Sequence, residues 1–131
     1  MNADHLPRFL EGVELFNKEF YFECHDLWEE LWSESKGKEK ICYQALIMSA
    51  VSLYHFDNEN LEGALSCHEK SKERFSQLDG QPFWFDPVEL FRDMMLFYSD
   101  ISRTTELTPE LLAKPRPKIK LQQSFSGSPT K

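Results

Sequence analysis

Residues 16–32 read Phe-Asn-Lys-Glu-Phe-Tyr-Phe-Glu-Cys-His-Asp-Leu-Trp-Glu-Glu-Leu-Trp. Eight aromatic or aliphatic residues are interleaved with five acids and one histidine in this stretch. The interleaving has the spacing of an amphipathic helix with one buried face. On that helix a histidine and a glutamate take positions that core residues usually occupy, so the stretch indicates both the fold class and a candidate site.

Helical spacing of apolar residues recurs on both sides of this stretch. It predicts helices over about residues 5–18, 20–36, 38–56, 61–78 and 86–102. Gly37 is expected to follow the end of the second helix, and Asp86-Pro87 is a strong start for the fifth. A short turn is expected at residues 108–112. The sequence therefore predicts an all-α fold, a single-domain antiparallel bundle of about five helices plus a short terminal turn.

Several local features refine this bundle. The third helix is apolar on almost every azimuth and should be central, whereas the fourth should lie on the surface beside it. Residues 79–82 break the helical pattern, and the aromatic residues 83–85 should pack beneath the helices. Asp4 is expected to cap the first helix, His5 to lie at the surface and Met95 to be buried in the fifth helix.

Charge is distributed unevenly along the 131 residues. Residues 1–113 carry 10 basic and 22 acidic side chains and should form the helical domain, whereas residues 114–131 contain five bases and no acid. The second segment lacks helical periodicity and is rich in proline, serine and lysine, which predicts a mostly disordered basic tail. An acidic body repels phosphate backbones, so we expect no binding of nucleic acid.

Cysteine usage and hydropathy favour a cytoplasmic protein. Cys24, Cys42 and Cys67 are widely spaced and odd in number, which suits buried thiols in a reducing compartment rather than a disulfide framework. No stretch approaches the ~18 uninterrupted apolar residues of a membrane span.

A candidate polar pocket follows from the helical wheel of the second helix. Relative to His25, the aromatic residues Tyr21, Trp28 and Trp32 lie on one side, and Glu29 lies about 40° away on the other. The three aromatic residues are expected to wall a pocket between helices two and three that holds a small ligand or a metal ion. The wheel places Asp26 in solvent and the His25–Glu29 pair on the buried face.

Two interpretations of this pair remain open. An imidazole and a carboxylate four residues apart could act as a general acid and base, or supply two of the ligands of a metal ion. Alternatively, the pair is a satisfied polar contact that orients one helix in the bundle. Gln44 and His55 follow one stripe of the third helix, and a hairpin about Gly37 would bring Gln44 to the level of Glu29.

An interaction module without catalytic activity is the alternative function. Helices three and four faintly resemble one unit of a tetratricopeptide repeat, although such arrays usually need at least about three units. The HExxH, GxGxxG, P-loop and paired CxxC motifs are all absent, so the sequence names no reaction, cofactor or metal.

Ordered sequence motifs also indicate a family. The chain resembles the domain-of-unknown-function 309 family over roughly residues 9–78, through Phe16-Asn17, Tyr21 to Asp26, Glu29, Leu31-Trp32, Tyr43 to Ile47, Ala50 to His55 and Asn60 to Ala64. This resemblance implies a small all-helical protein of no established activity. It also implies a signature that includes His25, Asp26, Glu29, Trp32, Gln44 and His55.

Overall fold

The chain folds into six α-helices in a computed structural model that describes residues 1–79 and 83–122. A 3-10 turn at Ala3–His5 precedes the helices α1 (Leu6–Asn17), α2 (Tyr21–Ser33), α3 (Gly37–Asp57), α4 (Leu61–Ser76), α5 (Pro87–Tyr98) and α6 (Pro109–Leu112). The predicted all-α fold is confirmed. Within the described ranges there is no strand, only an isolated bridge between Phe85 and Leu121.

Two predicted helix ends were wrong. Helix α2 ends at Ser33, so Gly37 does not follow its C-terminus; Gly37 instead begins α3, with a φ of +61° that suits glycine. Helix α5 ends at Tyr98 and not near residue 102. There the backbone tightens into i→i+3 bonds, with the Ile101 amide donating to the Tyr98 carbonyl at 3.0 Å.

Side-chain caps fix the starts of α4, α5 and α6, the last through Thr108, which accepts from the Leu111 amide. Asp86 accepts hydrogen bonds from the amides of Val88 and Glu89, as its position before Pro87 predicted. Asn60 caps α4 in the same way through the amide of Gly63. The prediction that Asp4 caps α1 was wrong, because a 3-10 turn precedes α1 and Asn2 accepts from the Asp4 amide.

Helix α3 is central, as predicted, and packs against both α2 and α4. Its buried serines join it to its neighbours. The Ser49 and Ser71 hydroxyls lie 2.9 Å apart, linking α3 to α4, and the Ser52 hydroxyl lies 2.7 Å from that of Tyr98 in α5. Each hydroxyl is thereby satisfied without water, which is what a buried polar group requires.

Aromatic side chains fill the side of the bundle where α1 meets α2. The Trp28 ring of α2 stacks near Phe9 and Phe16 of α1, with centroid distances of 6.4 and 6.0 Å. Phe83 and Phe85 are buried as predicted, the Phe85 ring lying 5.8 Å from that of Phe9.

The fifth helix differs from expectation on one face. Met95 is exposed, because α5 lies at the edge of the bundle and turns Met94 rather than Met95 inward. Of the predicted break at residues 79–82, positions 80–82 lie outside the described residues.

Residues 114–122, which we call the strap, lie against the body. The strap buries Ile119, whose amide donates to Asn17 Oδ1 at 2.8 Å, and its Gln122 amide bonds the Trp84 carbonyl at 3.0 Å. The expectation of a disordered tail is therefore corrected over the strap, because ion pairs and a buried apolar side chain fix it. The remainder of that prediction, residues 123–131, lies outside the described residues.

The three thiols are free, with Cys24 and Cys42 buried and Cys67 half-buried. Burial raises the pKa of all three thiols above the ordinary value, which keeps them protonated at neutral pH. No helix among residues 1–79 and 83–122 combines the length and apolarity needed to cross a membrane.

Candidate functional site

His25 lies on the outer side of α2, near the groove between α2 and α3. Its Nδ1 is 2.8 Å from the Phe22 carbonyl oxygen one turn earlier. A carbonyl only accepts, so this bond places a proton on Nδ1 and leaves the Nε2 lone pair of the neutral ring available. The helix itself thus selects the tautomer and the orientation of the ring.

Glu29 lies one turn after His25, and its carboxylate is the nearest charged group to the free nitrogen. Glu29 Oε2 is 3.6 Å from His25 Nε2, too far for a hydrogen bond. The wheel predicted that both side chains are buried. In the structure 20% of the His25 side chain is exposed, whereas 54% of the Glu29 side chain is exposed. That prediction was wrong for Glu29, because neither α1 nor α3 covers this edge of α2.

Asp26 completes a three-residue cluster. It is exposed, as the wheel predicted, yet one carboxylate oxygen each from Asp26 and Glu29 and one imidazole nitrogen of His25 lie within 4.8 Å of one another. Asp26 is exposed and still belongs to the cluster, because its side chain extends along the helix surface toward His25 and Glu29. The cluster presents one nitrogen and two carboxylate ligands to solvent.

A small cleft adjoins this cluster where α2 meets α3. Its volume is about 150 Å³, and Glu29, Trp32, Gln44, Ile47 and Met48 line it. Glu29 and Gln44 thus share a cleft across the two helices. The Lys40 ammonium lies over the Trp32 ring at 4.3 Å and adds a positive charge at this end of the groove.

Two predicted pocket residues lie elsewhere. Tyr21 and Trp28 are buried in the core and face α1, with Tyr21 5.4 Å from Phe16 in an edge-to-face contact. Their prediction as pocket walls was wrong because the core boundary on α2 runs between Trp28 and Trp32. They support the helix that carries the cluster and do not line the cleft.

His55 lies at the far end of the groove. The rings of Phe22 and Tyr54 stand between the two histidines, with centroid distances of 5.3 Å to His25 and 5.9 Å to His55. His55 Nδ1 is 3.2 Å from Asn60 Nδ2, which donates, so His55 is oriented by the cap of α4. The structure does not bring His55 into the cluster.

The environment of His5 differs from the surface position that the sequence predicts. His5 is buried, with Nε2 3.3 Å from Glu34 and Nδ1 3.3 Å from the Tyr43 hydroxyl. Arg8 binds Glu34 through two bonds of 2.8 Å. This network fastens the N-terminal turn to α2 and α3, and no local pattern in the sequence signals it because its acids lie about 30 positions away.

Comparison with known proteins covers the part of the chain that carries this site. Residues 9–67 match the model of the domain of unknown function DUF309. The predicted resemblance is confirmed over this segment, which runs from α1 into α4 and contains the cluster and the cleft. Helix α5 and the strap lie beyond it.

One curated relative also matches part of this chain. The uncharacterized protein YpuF of Bacillus subtilis (strain 168) is 42% identical over 53 residues. The aligned segment covers 40% of this chain and 30% of the relative, so the similarity extends over less than half of either chain. Neither comparison names an activity, and the function must be inferred from the geometry of the site.

Proposed function

We propose that the protein binds a divalent first-row transition-metal ion through His25, Asp26 and Glu29. The observation that carries this proposal is the bond from His25 Nδ1 to the Phe22 carbonyl. Histidines that bind metals usually donate their second ring nitrogen to a carboxylate or carbonyl, which fixes the tautomer and aims the other nitrogen at the ion. Here Nε2 is aimed toward Glu29.

The distances within the cluster also suit a shared ion. Two ligands held at ~2.1 Å from one metal lie roughly 3.0–4.2 Å apart, depending on the coordination geometry. The 3.6 Å between His25 Nε2 and Glu29 Oε2 falls inside that range. The three ligand atoms lie within 4.8 Å of one another, so a small rotation of the exposed carboxylates would bring all of them to one ion.

The ligand set indicates which ions suit the site and what they would do. One imidazole and two carboxylates match Mn²⁺, Fe²⁺ or Zn²⁺ better than Ca²⁺, which prefers oxygen alone. Three protein ligands leave positions for water or a small ligand, as catalytic metal sites do. The adjoining cleft of about 150 Å³ offers Gln44 and the Trp32 edge to that ligand.

A purely structural role for the pair is disfavoured by the exposure of Glu29. Surface ion pairs four residues apart on a helix stabilise proteins by only ~0.5 kcal/mol. We therefore expect Glu29→Gln and His25→Ala to retain the wild-type free energy of unfolding within about 1 kcal/mol. A loss of several kcal/mol in both variants would instead indicate that the pair orients the helix.

Calorimetric titration with MnCl₂ and with ZnCl₂ tests the proposal. The exposed three-ligand site should bind with a Kd on the order of 10 µM. Both His25→Ala and Glu29→Gln should weaken binding at least about tenfold, because each removes one of only three ligands. The matched control is Glu23→Gln, an exposed acid of the same helix outside the cluster, which should bind as wild type. Equal binding by all four proteins would overturn the metal site.

The tetratricopeptide-like alternative receives no support from α4. Its exposed positions are polar or charged, namely Glu62, Glu69, Lys70, Glu73 and Ser76. An exposed apolar groove on α4 was the feature that this alternative required.

We further infer that the protein is cytoplasmic and binds no nucleic acid. Three free thiols, two of them buried, and the acidic body support this inference. A fluorescent DNA duplex should show no change in anisotropy on addition of the protein at low salt.

A further inference from the structure

A second groove runs along the other side of α2, where α2 meets α1. Its volume is about 370 Å³. The half-buried side chains of Leu15 and Leu27 and the exposed ring of Phe22 give it an apolar base. Phe22 is 53% exposed and Phe20, at the entry to α2, is 51% exposed. Adjacent exposed aromatic residues are typical of surfaces that bind a partner.

Carboxylates form the edges of this groove. Glu11 of α1 and Glu23, Asp26 and Glu30 of α2 line it, and no basic residue does. Glu30 lies 3.5 Å from Arg8 at one end, whereas Glu11 and Glu23 have no ion pair within residues 1–79 and 83–122. Uncompensated charges of one sign along a groove create a potential that attracts the opposite charge.

The strap shows how this body binds a basic segment. Its four bases alternate along the chain and each meets a carboxylate, in the pairs Lys114–Asp100, Arg116–Asp57, Lys118–Glu19 and Lys120–Glu89. Buried Ile119 supplies the apolar anchor between them. The groove between α1 and α2 offers the same combination of carboxylates and apolar surface, and no strap residue lines it.

We propose that the groove between α1 and α2 binds a basic amphipathic helix of a partner protein. A third helix packs naturally into the groove between two neighbouring helices, placing its apolar face on the base and its Lys or Arg residues over the edges. Helix α1 has 12 residues, a length of about 18 Å. The partner helix should therefore contribute three to four turns with apolar residues at i, i+3, i+4 and i+7.

This inference is independent of the proposed metal site. Glu11 and Glu23 line the groove and lie outside the cluster. Asp26 belongs to both features, and the Phe22 ring lies 5.3 Å from that of His25. Variants at Glu11 and Glu23 therefore test the groove and leave the ligands of the cluster intact.

A fluorescein-labelled 14-residue peptide of leucine and lysine, spaced as an amphipathic helix, is the probe. Its Kd is measured by anisotropy with the wild-type chain. The double variant Glu11→Gln/Glu23→Gln and the variant Phe22→Ala should each weaken binding about tenfold. The matched control Glu106→Gln/Glu110→Gln removes the same two charges from an exposed segment outside the groove and should change the Kd less than about twofold.

Three results would overturn the proposal. One is equal weakening by the control pair, which would show attraction by net charge alone. Another is equal affinity for a peptide with alanine in place of leucine, which would exclude the apolar base. The third is the absence of NMR chemical-shift changes for the methyl groups of Leu15 and Leu27 when the peptide is added. Circular dichroism of each variant verifies that it is folded, so a loss of binding is assigned to the groove.

Discussion

His25 and His68 show how the surroundings of one residue type decide its role. His25 lies at the surface with a ring nitrogen open to a ligand, whereas His68 of α4 is buried and its ring lies 4.6 Å from that of Tyr98. His68 Nδ1 has no hydrogen-bond partner within the described residues. Burial, reinforced by the Lys72 ammonium, lowers the pKa of His68 to about 4.

This shift predicts a loss of stability in acid. Below pH 6.5 the unfolded chain binds a proton at His68 that the folded protein does not, so the free energy of unfolding falls as pH falls from 6.5 toward 4. Between pH 7 and 4.5 the wild type should lose about 2 kcal/mol more than His68→Gln, which has no proton to bind there. Urea unfolding of both proteins at the two pH values measures the difference, and parallel losses would contradict it.

At the scale of elements, the contact between α1 and α2 depends on a glycine. Gly12 faces the indole of Trp28, and the Cys24 thiol donates to the Gly12 carbonyl at 3.3 Å. A methyl group at position 12 would overlap the Trp28 ring, to within 2.6 Å of its Cδ1. Trp28 is fully buried, and a closely packed core leaves a buried ring little room to shift.

Gly12→Ala should therefore destabilise the protein by about 3 kcal/mol, through overpacking of the α1–α2 contact. Gly37→Ala is the matched control, because its positive φ strains an alanine but nothing lies within 4 Å of the new methyl. The control should lose only about 1 kcal/mol. Urea unfolding measures both losses of free energy of unfolding. Equal losses would mean that α1 and α2 move apart to accommodate the new methyl group, so overpacking at Gly12 would be excluded.

Element types and faces were predictable because helical periodicity is local. The wheel gave the azimuths of Trp28, His25 and Glu29 on α2, but it could not give the point at which the core ends. That point depends on where α1 and α3 contact α2, which no local pattern encodes. For this reason the wheel predicts a buried Glu29 and a pocket-lining Trp28, whereas the structure exposes Glu29 and buries Trp28, about 100° away on the helix.

At the scale of the whole molecule, the strap explains the uneven charge of the chain. Its bases meet acids of α3 and α5 and of the segments that follow α1 and α5, so the basic and acidic parts belong to one fold. The alternation of bases at positions 114, 116, 118 and 120 is a period-2 pattern that indicates an extended segment. Its contacts were not predictable, because Ile119 bonds Asn17 across 102 positions.

Arg116 should be the residue through which the strap stabilises the fold. Its side chain is only 8% exposed, donates to Asp57 at 2.6 Å and lies 4.9 Å from the centre of the Phe56 ring. Arg116→Ala should lower the free energy of unfolding by about 2 kcal/mol, through the lost ion pair and the lost packing. Lys120→Ala is the control, since Lys120 is exposed and 3.6 Å from Glu89, and should cost less than about 0.5 kcal/mol.

Urea unfolding and limited trypsin digestion measure this effect together. If the strap is held by Arg116, the Arg116→Ala variant is both less stable and cut faster after Lys118 and Lys120, because local opening exposes these bonds. The Lys120→Ala variant keeps its stability and the slow cleavage after Lys118. Equal stability of the two variants would mean that the strap lies on the body without stabilising it, and the bundle of α1 to α5 would then account for the whole free energy of unfolding.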